Sequence, residues 1–301
     1  MAALTASTGQ RRKALRRRQA LLAYAFLAPS LIIFLIFRHG PAIVGLILGL
    51  FDWSIVDPPR YIGFKNFVDL YNDTIFWRAL WNTFYYTILS VPTDIVLSLC
   101  LALALNRQLR GVWLFRLAYF TPVVTATAIV AIIWRWLYMP NGLINGLLQL
   151  FGLPSIAWLS DTNWALPAIA IMAVWKHVGY NMLIFIAGLQ AIPIEFEEAA
   201  RIDGANRWQV LRYITLPLLR PVFILVAILT TISSFQVFDS AYVMTNGGPY
   251  YATTTLVYYI YSNAFDRYQM GYAAAIAFVL FIIILTASLI QQYIFKGDGD
   301  V

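Results

Sequence analysis

Two groups of residues in this sequence are able to do chemistry, and neither has the make-up of a catalytic centre. The first is an interruption. Between Ala191 and Pro217 a largely uncharged sequence switches to mixed charge, with Glu195, Glu197, Glu198, Arg201, Asp203, Arg207 and Arg212. Acidic residues just after Pro193 suit the positive end of a helix dipole. Ala199 and Ala200 continue that helix with good formers and small side chains, over which another surface can come close. Gly204 permits a tight turn. Asn206 is placed to cap a second short helix, from Arg207 to Tyr213, which Pro217 is expected to end. Glu198 and Arg201 offer charges for pairing across a contact. The chemistry of such a bracket is docking. A plain solvated connection fits the same residues.

The second group is scattered through apolar runs: Arg38, Asp94, Arg135 and Lys176, with His39 and His177 beside two of them. Charges at membrane depth are costly, so each is a functional candidate. Asp94 and Lys176 are placed either to pair or to line a path. Arg135 reads best as a side chain snorkelling to an interface. Tyr180 and Asn181 follow Gly179, while Ser233, Phe235, Gln236, Asp239 and Tyr242 lie close together further on. Amides and carboxylates serve the hydrogen-bonding groups of a polar solute, and flat rings serve its apolar faces. Packing or interface anchoring explains any one of these aromatics equally well, including Tyr258, Tyr259 and Tyr261.

Several chemistries are excluded. No lysine follows a glycine in a phosphate-cradling G-x-x-x-x-G-K-[ST] pattern, so ATP hydrolysis is not expected of this chain. Two histidines and a single cysteine, all far apart, make no zinc site, and no catalytic triad is arguable from His39 and His177. Cys100 alone forms no internal disulfide.

The elements that must position these residues are membrane spans. Of 301 residues, 61% are hydrophobic and only 12% charged, and the mean hydropathy is +0.71. A soluble enzyme with that composition would leave too much apolar surface in water. Six runs are long enough to cross a bilayer, at about 21–51, 79–105, 112–138, 164–192, 221–244 and 271–295. Kinks are expected at Pro29, Pro92, Pro122 and Pro167. Residues 1–20 form a basic tail and residues 296–301 a second tail around one six-span domain, 21–295, with its core at 75–290 and the charged loop at 191–219. The first run is too long for a signal peptide. Gly45 and Gly49 on it permit a close helix contact.

Of the 21 basic residues, 14 fall in the two tails and in the loops after spans two and four. Only Arg60, Lys65, Arg78 and Arg267 fall on the other side. That bias places both termini in the cytoplasm. The net charge of +7 is concentrated at Arg11-Arg12-Lys13 and Arg16-Arg17-Arg18, beside the first span, so no nucleic-acid partner is expected.

The segment Glu198-Ala199-Ala200, Asp203-Gly204-Ala205 and Ile214-Thr215-Leu216-Pro217 resembles the EAA motif of ATP-binding-cassette importer permeases. Ala187-Gly188-Leu189-Gln190-Ala191-Ile192-Pro193, Phe238-Asp239, Thr245-Asn246-Gly247-Gly248-Pro249 and Ala252-Thr253-Thr254-Thr255-Leu256 are similar to the carbohydrate branch, the maltose- and glycerol-phosphate-type permeases. Leu211 stands where many members carry Phe. The resemblance implies an all-α integral membrane protein of the type I importer permease fold, in the cytoplasmic membrane of a prokaryote. It implies a non-catalytic subunit of an importer for a sugar, oligosaccharide or polyol.

Its implied partners are a second, homologous permease, two nucleotide-binding subunits that use ATP and Mg, and an extracytoplasmic binding protein. The chain itself is expected to bind no cofactor. The helix at about Glu195 to Ala205 becomes the coupling helix, with Glu198, Ala199, Ala200, Arg201, Asp203 and Gly204 meeting the ATPase. Asp94, Lys176, Tyr180, Asn181, Phe235, Gln236, Asp239 and Tyr242 are candidates for the solute path. A glycerol-phosphate or glycerophosphodiester importer is the alternative cargo reading, with Lys176 compensating a phosphate. An ion-coupled transporter, or a scaffold without transport, leaves the charged loop without a purpose.

Overall fold

The computed structural model describes residues 2–106 and 111–295. Arg107, Arg110 and the tail 296–301 with Lys296 lie outside the described residues. The chain is helical almost throughout. In lipid, backbone N–H and C=O groups must be satisfied within the segment, and a helix does this.

The first helix, α1 (Ala2–Phe34), passes through one π-helical turn at Leu35–His39 into α2 (Gly40–Leu48). A two-residue ribbon follows, β1 (Phe51–Asp52) antiparallel to β2 (Arg60–Tyr61), with Phe51 opposite Tyr61. Then come α3 (Lys65–Tyr71), α4 (Thr74–Leu105), α5 (Val112–Val124), α6 (Thr127–Leu137), α7 (Leu143–Leu150) and α8 (Ala165–Gln190). The charged segment holds α9 (Ile194–Ile202), α10 (Arg207–Val210), a π turn at Leu211–Thr215, and α11 (Leu216–Leu218). The chain closes with α12 (Arg220–Phe235), α13 (Asp239–Thr245), α14 (Leu256–Tyr261), a π turn at Ser262–Asp266, and α15 (Met270–Phe295).

Among the described residues, four helical stretches are long and apolar enough to cross a membrane: Leu15–Leu48, Thr74–Leu105, Ala165–Gln190 and Met270–Ile294. Two bent pairs bring the number to six if each pair is one span. The third run is one of them. It breaks at Thr125-Ala126, three residues after Pro122, and its halves meet at 102°. The fifth run departs from expectation at both ends. Pro217 does not end the second helix of the bracket: the π turn before it carries the chain on to Leu218, and a 65° bend then leads into α12. At the far end, helix stops at Phe235 and restarts at Asp239, so residues 221–244 are two helices. Pro29 and Pro92 lie inside continuous helices, and Pro167 sits in the first turn of α8, where its missing N–H is not needed.

The centre of the bundle is α8 against α4, with α5 and α12 beside them and α15 behind α12. Lipid tails are as apolar as leucine, so burial alone gives helices little reason to associate there. Close packing and internal polar bonds do the holding. Gly179 meets the α5 backbone at Tyr119, and Gly188 meets Leu219 and Val222. Gly49 meets the backbone of Ala275 on α15, while nothing lies near Gly45, so one of the two span-one glycines makes a close contact. Thr83, Ser90 and Ser98 return their hydroxyls to carbonyls of their own helix, at 2.8, 2.8 and 3.1 Å. Phe185, Met182, Val226 and Ile95 fill the core between α4, α8 and α12.

Candidate functional site

The charged segment folds into a bracket. Pro193 precedes α9 with an extended ψ of 132° and starts it, and Glu195 and Glu197 occupy the first turn. Three backbone bonds close the helix end: Asp203 to Ala199, Gly204 to Arg201 and Ala205 to Ala200. Gly204 takes φ +88°, a conformation costly to any other L-residue. Asn206 and Gln209 form a reciprocal capping box at the start of α10. The bracket lies at the end of the bundle where α4 and α8 finish. It borders a groove of about 730 Å³ lined by Leu103, Asn106, Leu189, Glu197, Trp208 and Thr215, among others.

Glu198, Ala199, Asp203 and Gly204 are exposed, and Ala200 is partly covered. Glu198 has no ion pair among the described residues. Arg201 differs from the expectation of a charge free to pair outward: its guanidinium lies 3.2 Å from Glu197, one turn earlier. Glu197 also accepts a long bond from Thr215 at 3.5 Å, tying α9 to the second arm. The i,i+4 spacing of Glu197 and Arg201 is the local signal that separates Glu197 from Glu198, whereas the bond to Thr215, 18 residues away, is not legible. Ile202, Trp208 and Tyr213 stand out from the bracket, each at least 69% exposed.

The second group gathers in two adjoining cavities at mid-bundle. One, of about 90 Å³, is lined by Tyr86, Ser90, Asp94, His177, Tyr180, Asn181, Thr230, Ser233 and Ser234. The other, of about 150 Å³, shares Tyr86, His177 and Ser233 and adds Lys176, Gln236 and Asp239. Asn181 donates to Thr230 at 2.9 Å and lies against Asp94. Asp94 is 3% exposed, and its Oδ1 has no hydrogen-bond partner. Asp94 and Lys176 do not pair. Lys176 turns to the carbonyl of Val123 at 3.3 Å, at the negative end of α5, and feels the charge of Asp239. That carbonyl is free to accept because the helix breaks just beyond it, a feature hydropathy does not show.

Two candidates lie apart from these cavities. Phe235 is 2% exposed and packs edge-on against Phe84, inside the cluster that holds Phe76, Leu256 and Ile276. Its ring belongs to the core. Tyr242 joins an aromatic group with Phe238, Tyr258 and Tyr261, its ring centroids 5.3 to 6.2 Å from theirs. It faces a third cavity, about 650 Å³, together with Arg135, Tyr138 and Trp158. Arg38 is exposed on the π turn of the first span.

A hub unrecognised in the sequence stands at the opposite end of the bundle from the bracket. Asp73 caps α4 by accepting from Ile75 and Phe76, at 2.8 and 3.3 Å. The same carboxylate accepts the hydroxyls of Tyr259 and Tyr272. Burial pushes its pKa up, but these four donors outweigh that and hold it below the usual carboxylate value.

A family model described as the binding-protein-dependent transport system inner membrane component matches residues 73–297. This chain belongs to that family. The permease is 38% identical to a probable ABC transporter permease protein, YurN, of Bacillus subtilis, across 93% of this chain and 98% of that one. It is 34% identical to the lactose transport system permease protein LacF of Rhizobium radiobacter, across 94% and 96%. Its fold matches a chain of a bacterial ABC transporter involved in the import of the acidic polysaccharide alginate. That match has a TM-score of 0.83 at 25% identity, over 96% of the permease and all of that chain. The permease is thus a mostly helical membrane subunit of an ABC importer of the carbohydrate-uptake type.

Proposed function

We propose that this permease carries a neutral or near-neutral carbohydrate, a sugar, oligosaccharide or polyol, into a prokaryotic cell across the cytoplasmic membrane. A binding protein outside delivers the solute. A second, homologous permease completes the path, and two ATPase subunits bind ATP and Mg. Both termini lie in the cytoplasm, as the 14 basic residues on that side favour.

The observation that carries the reading is the bracket. Glu198 to Gly204 is a largely exposed corner at the ends of α4 and α8, turned at Gly204 and followed by the capping box of α10. Closure of the ATPases moves this corner, and the spans follow as rigid bodies between two states. The charge pattern fits a path through the two adjoining cavities with Asp94, Lys176, Asn181, Gln236 and Asp239, where Tyr180 offers a flat face, while Tyr242 offers one at the separate third cavity. A phosphate cargo is less favoured, because the Lys176 ammonium already faces Val123 and Asp239.

The test is Glu198→Lys in the co-expressed complex. Glu198 is exposed and unpaired among the described residues, so its loss changes stability by less than ~0.5 kcal/mol. Solute-stimulated ATP hydrolysis and uptake are expected to collapse, with the unfolding midpoint of the isolated permease unchanged. Full transport by this variant refutes the coupling role.

A further inference from the structure

We propose that Arg38 holds the second permease inside the membrane, its guanidinium paired with a carboxylate that the second permease brings to the same depth. The inference rests on the proposed pairing of this chain with a second permease and names a residue for it. Arg38 lies on the π turn that joins α1 to α2. It stands 20 residues after Arg18, about 30 Å along a helix, and 11 residues before Gly49, about 16 Å. Gly49 is itself still within the span, packed against Ala275 of α15. From there an arginine side chain reaches neither end.

Nothing in this chain answers the charge. Among the described residues Arg38 has no hydrogen bond and no ion pair, and every residue from Leu31 to His39 is exposed. The neighbouring imidazole is committed: His39 Nδ1 donates to the Phe34 carbonyl at 3.2 Å, and its ring lies edge-on to that of Phe34. α2 packs on α15, whereas α1 and the π turn make no comparable contact with the bundle among the described residues. Lipid suits the apolar residues from Leu31 to Phe37. It does not suit Arg38, because a cation at that depth lacks both water and a counter-charge. The Gly40 N–H closes the turn on the Leu35 carbonyl, and a Cβ at Gly40 would come within 2.8 Å of that oxygen. Arg38 thus sits on a widened turn of the kind that recurs at functional sites.

Three sources of negative charge come near a span: a headgroup phosphate, an acidic solute and another protein. The phosphate lies beyond the reach of the side chain. The solute is not placed to meet it, since Arg38 borders neither mid-bundle cavity. A protein surface along α1 remains, and the importer reading supplies one in the second permease. A carboxylate matches the planar guanidinium fork with two parallel bonds. Away from water such a pair is little screened.

The test uses the co-expressed complex, purified through a tag on this chain, with the second permease retained read by native mass spectrometry. Arg38→Met keeps the length of the side chain and removes its charge, and is expected to lower retention about 10-fold or more. Arg38→Lys keeps the charge without the fork and is expected to fall between Arg38→Met and wild type. The unfolding midpoint of the isolated Arg38→Met permease is expected to equal or exceed that of wild type, since an unpaired charge has left apolar surroundings. Weaker assembly without weaker folding is a combination that a purely structural role does not give. Arg38→Glu is expected to abolish retention, and replacing one Asp or Glu in a span of the second permease by Arg is expected to restore it.

Wild-type retention in Arg38→Met, or failure of every such replacement to rescue Arg38→Glu, overturns the inference and leaves the importer reading standing. So does a wild-type complex that holds together in nanodiscs containing phosphatidylglycerol, separates in phosphatidylcholine alone, and loses that difference in Arg38→Met, because the partner is then a lipid phosphate. If the wild-type chain retains no second permease at all, the inference and the pairing it rests on fall together.

Discussion

The Asp73 hub allows a stability prediction whose size follows from its bonds. Asp73→Ala removes a helix cap, which costs about 1 kcal/mol. It also strips the acceptor from two phenols that reach it from α14 and α15. Hydrogen bonds to a charged group contribute about 1.5–3 kcal/mol each when sheltered, and less here because the carboxylate is only partly buried. The expected total is about 2–4 kcal/mol. In a chain of this size that lowers the unfolding midpoint by roughly 5–10 °C. Tryptophan fluorescence on heating in detergent reads it. Tyr259→Phe alone is expected to cost about 1–2 kcal/mol, and the double variant Asp73→Ala with Tyr259→Phe to cost less than the two singles together.

The pH dependence follows from the same bonds. The carboxyl pKa is lowered on folding, so its contribution is complete above the unfolded value near 4 and is lost as pH falls through the folded one. Tyr259 is pushed up to about 12, by burial first and then by its bond to Asp73 and the charge there. Its contribution is complete below the unfolded value near 10 and is lost as pH rises towards 12. The hub therefore holds across about pH 4 to 10. An Asp73→Ala protein that melts within a degree of wild type at pH 7 refutes the account.

Two further outcomes are expected. Gly179→Ala places a Cβ 1.9 Å from the Tyr119 carbonyl oxygen, which is backbone and cannot swing aside. A loss of at least ~2 kcal/mol is expected in the same assay, and a neutral result would show that α5 and α8 do not meet there. Phe235→Ala empties a fully packed position and should cost about 3–5 kcal/mol, with no change in the order of preference among solutes. A changed preference at unchanged stability would return Phe235 to the solute path.

The sequence makes some of this legible and hides the rest for physical reasons. Uncharged runs near 20 residues reveal spans because lipid tolerates little else. The bracket is legible because its signals are local: Pro193, the first-turn acids, Gly204 and Asn206 all act within a turn or two of themselves. The breaks at Thr125-Ala126 and at Gln236–Phe238 are not legible, since hydropathy is blind to backbone direction. Pro217 misleads because a proline usually stops a helix, whereas the π turn at Leu211–Thr215 lets this one pass. The Asp73 hub is hidden by distance, its phenols lying 186 and 199 residues along the chain. Only the cap itself, an aspartate just before a helical run, is written locally.

The packing of α4 also bears on how the protein is made. Its polar stripe of Thr83, Ser90, Asp94 and Ser98 is covered chiefly by α8, with α12 and α14 beside it. All three helices are synthesised after α4. Between the end of α4 and the start of α8 the ribosome must add residues 106–164, which takes on the order of 3–12 s. For that interval the aspartate lacks α8, the helix that packs most extensively on α4. Biogenesis must therefore keep α4 beside the insertion machinery, or leave Asp94 protonated in lipid, until α8 arrives to enclose it.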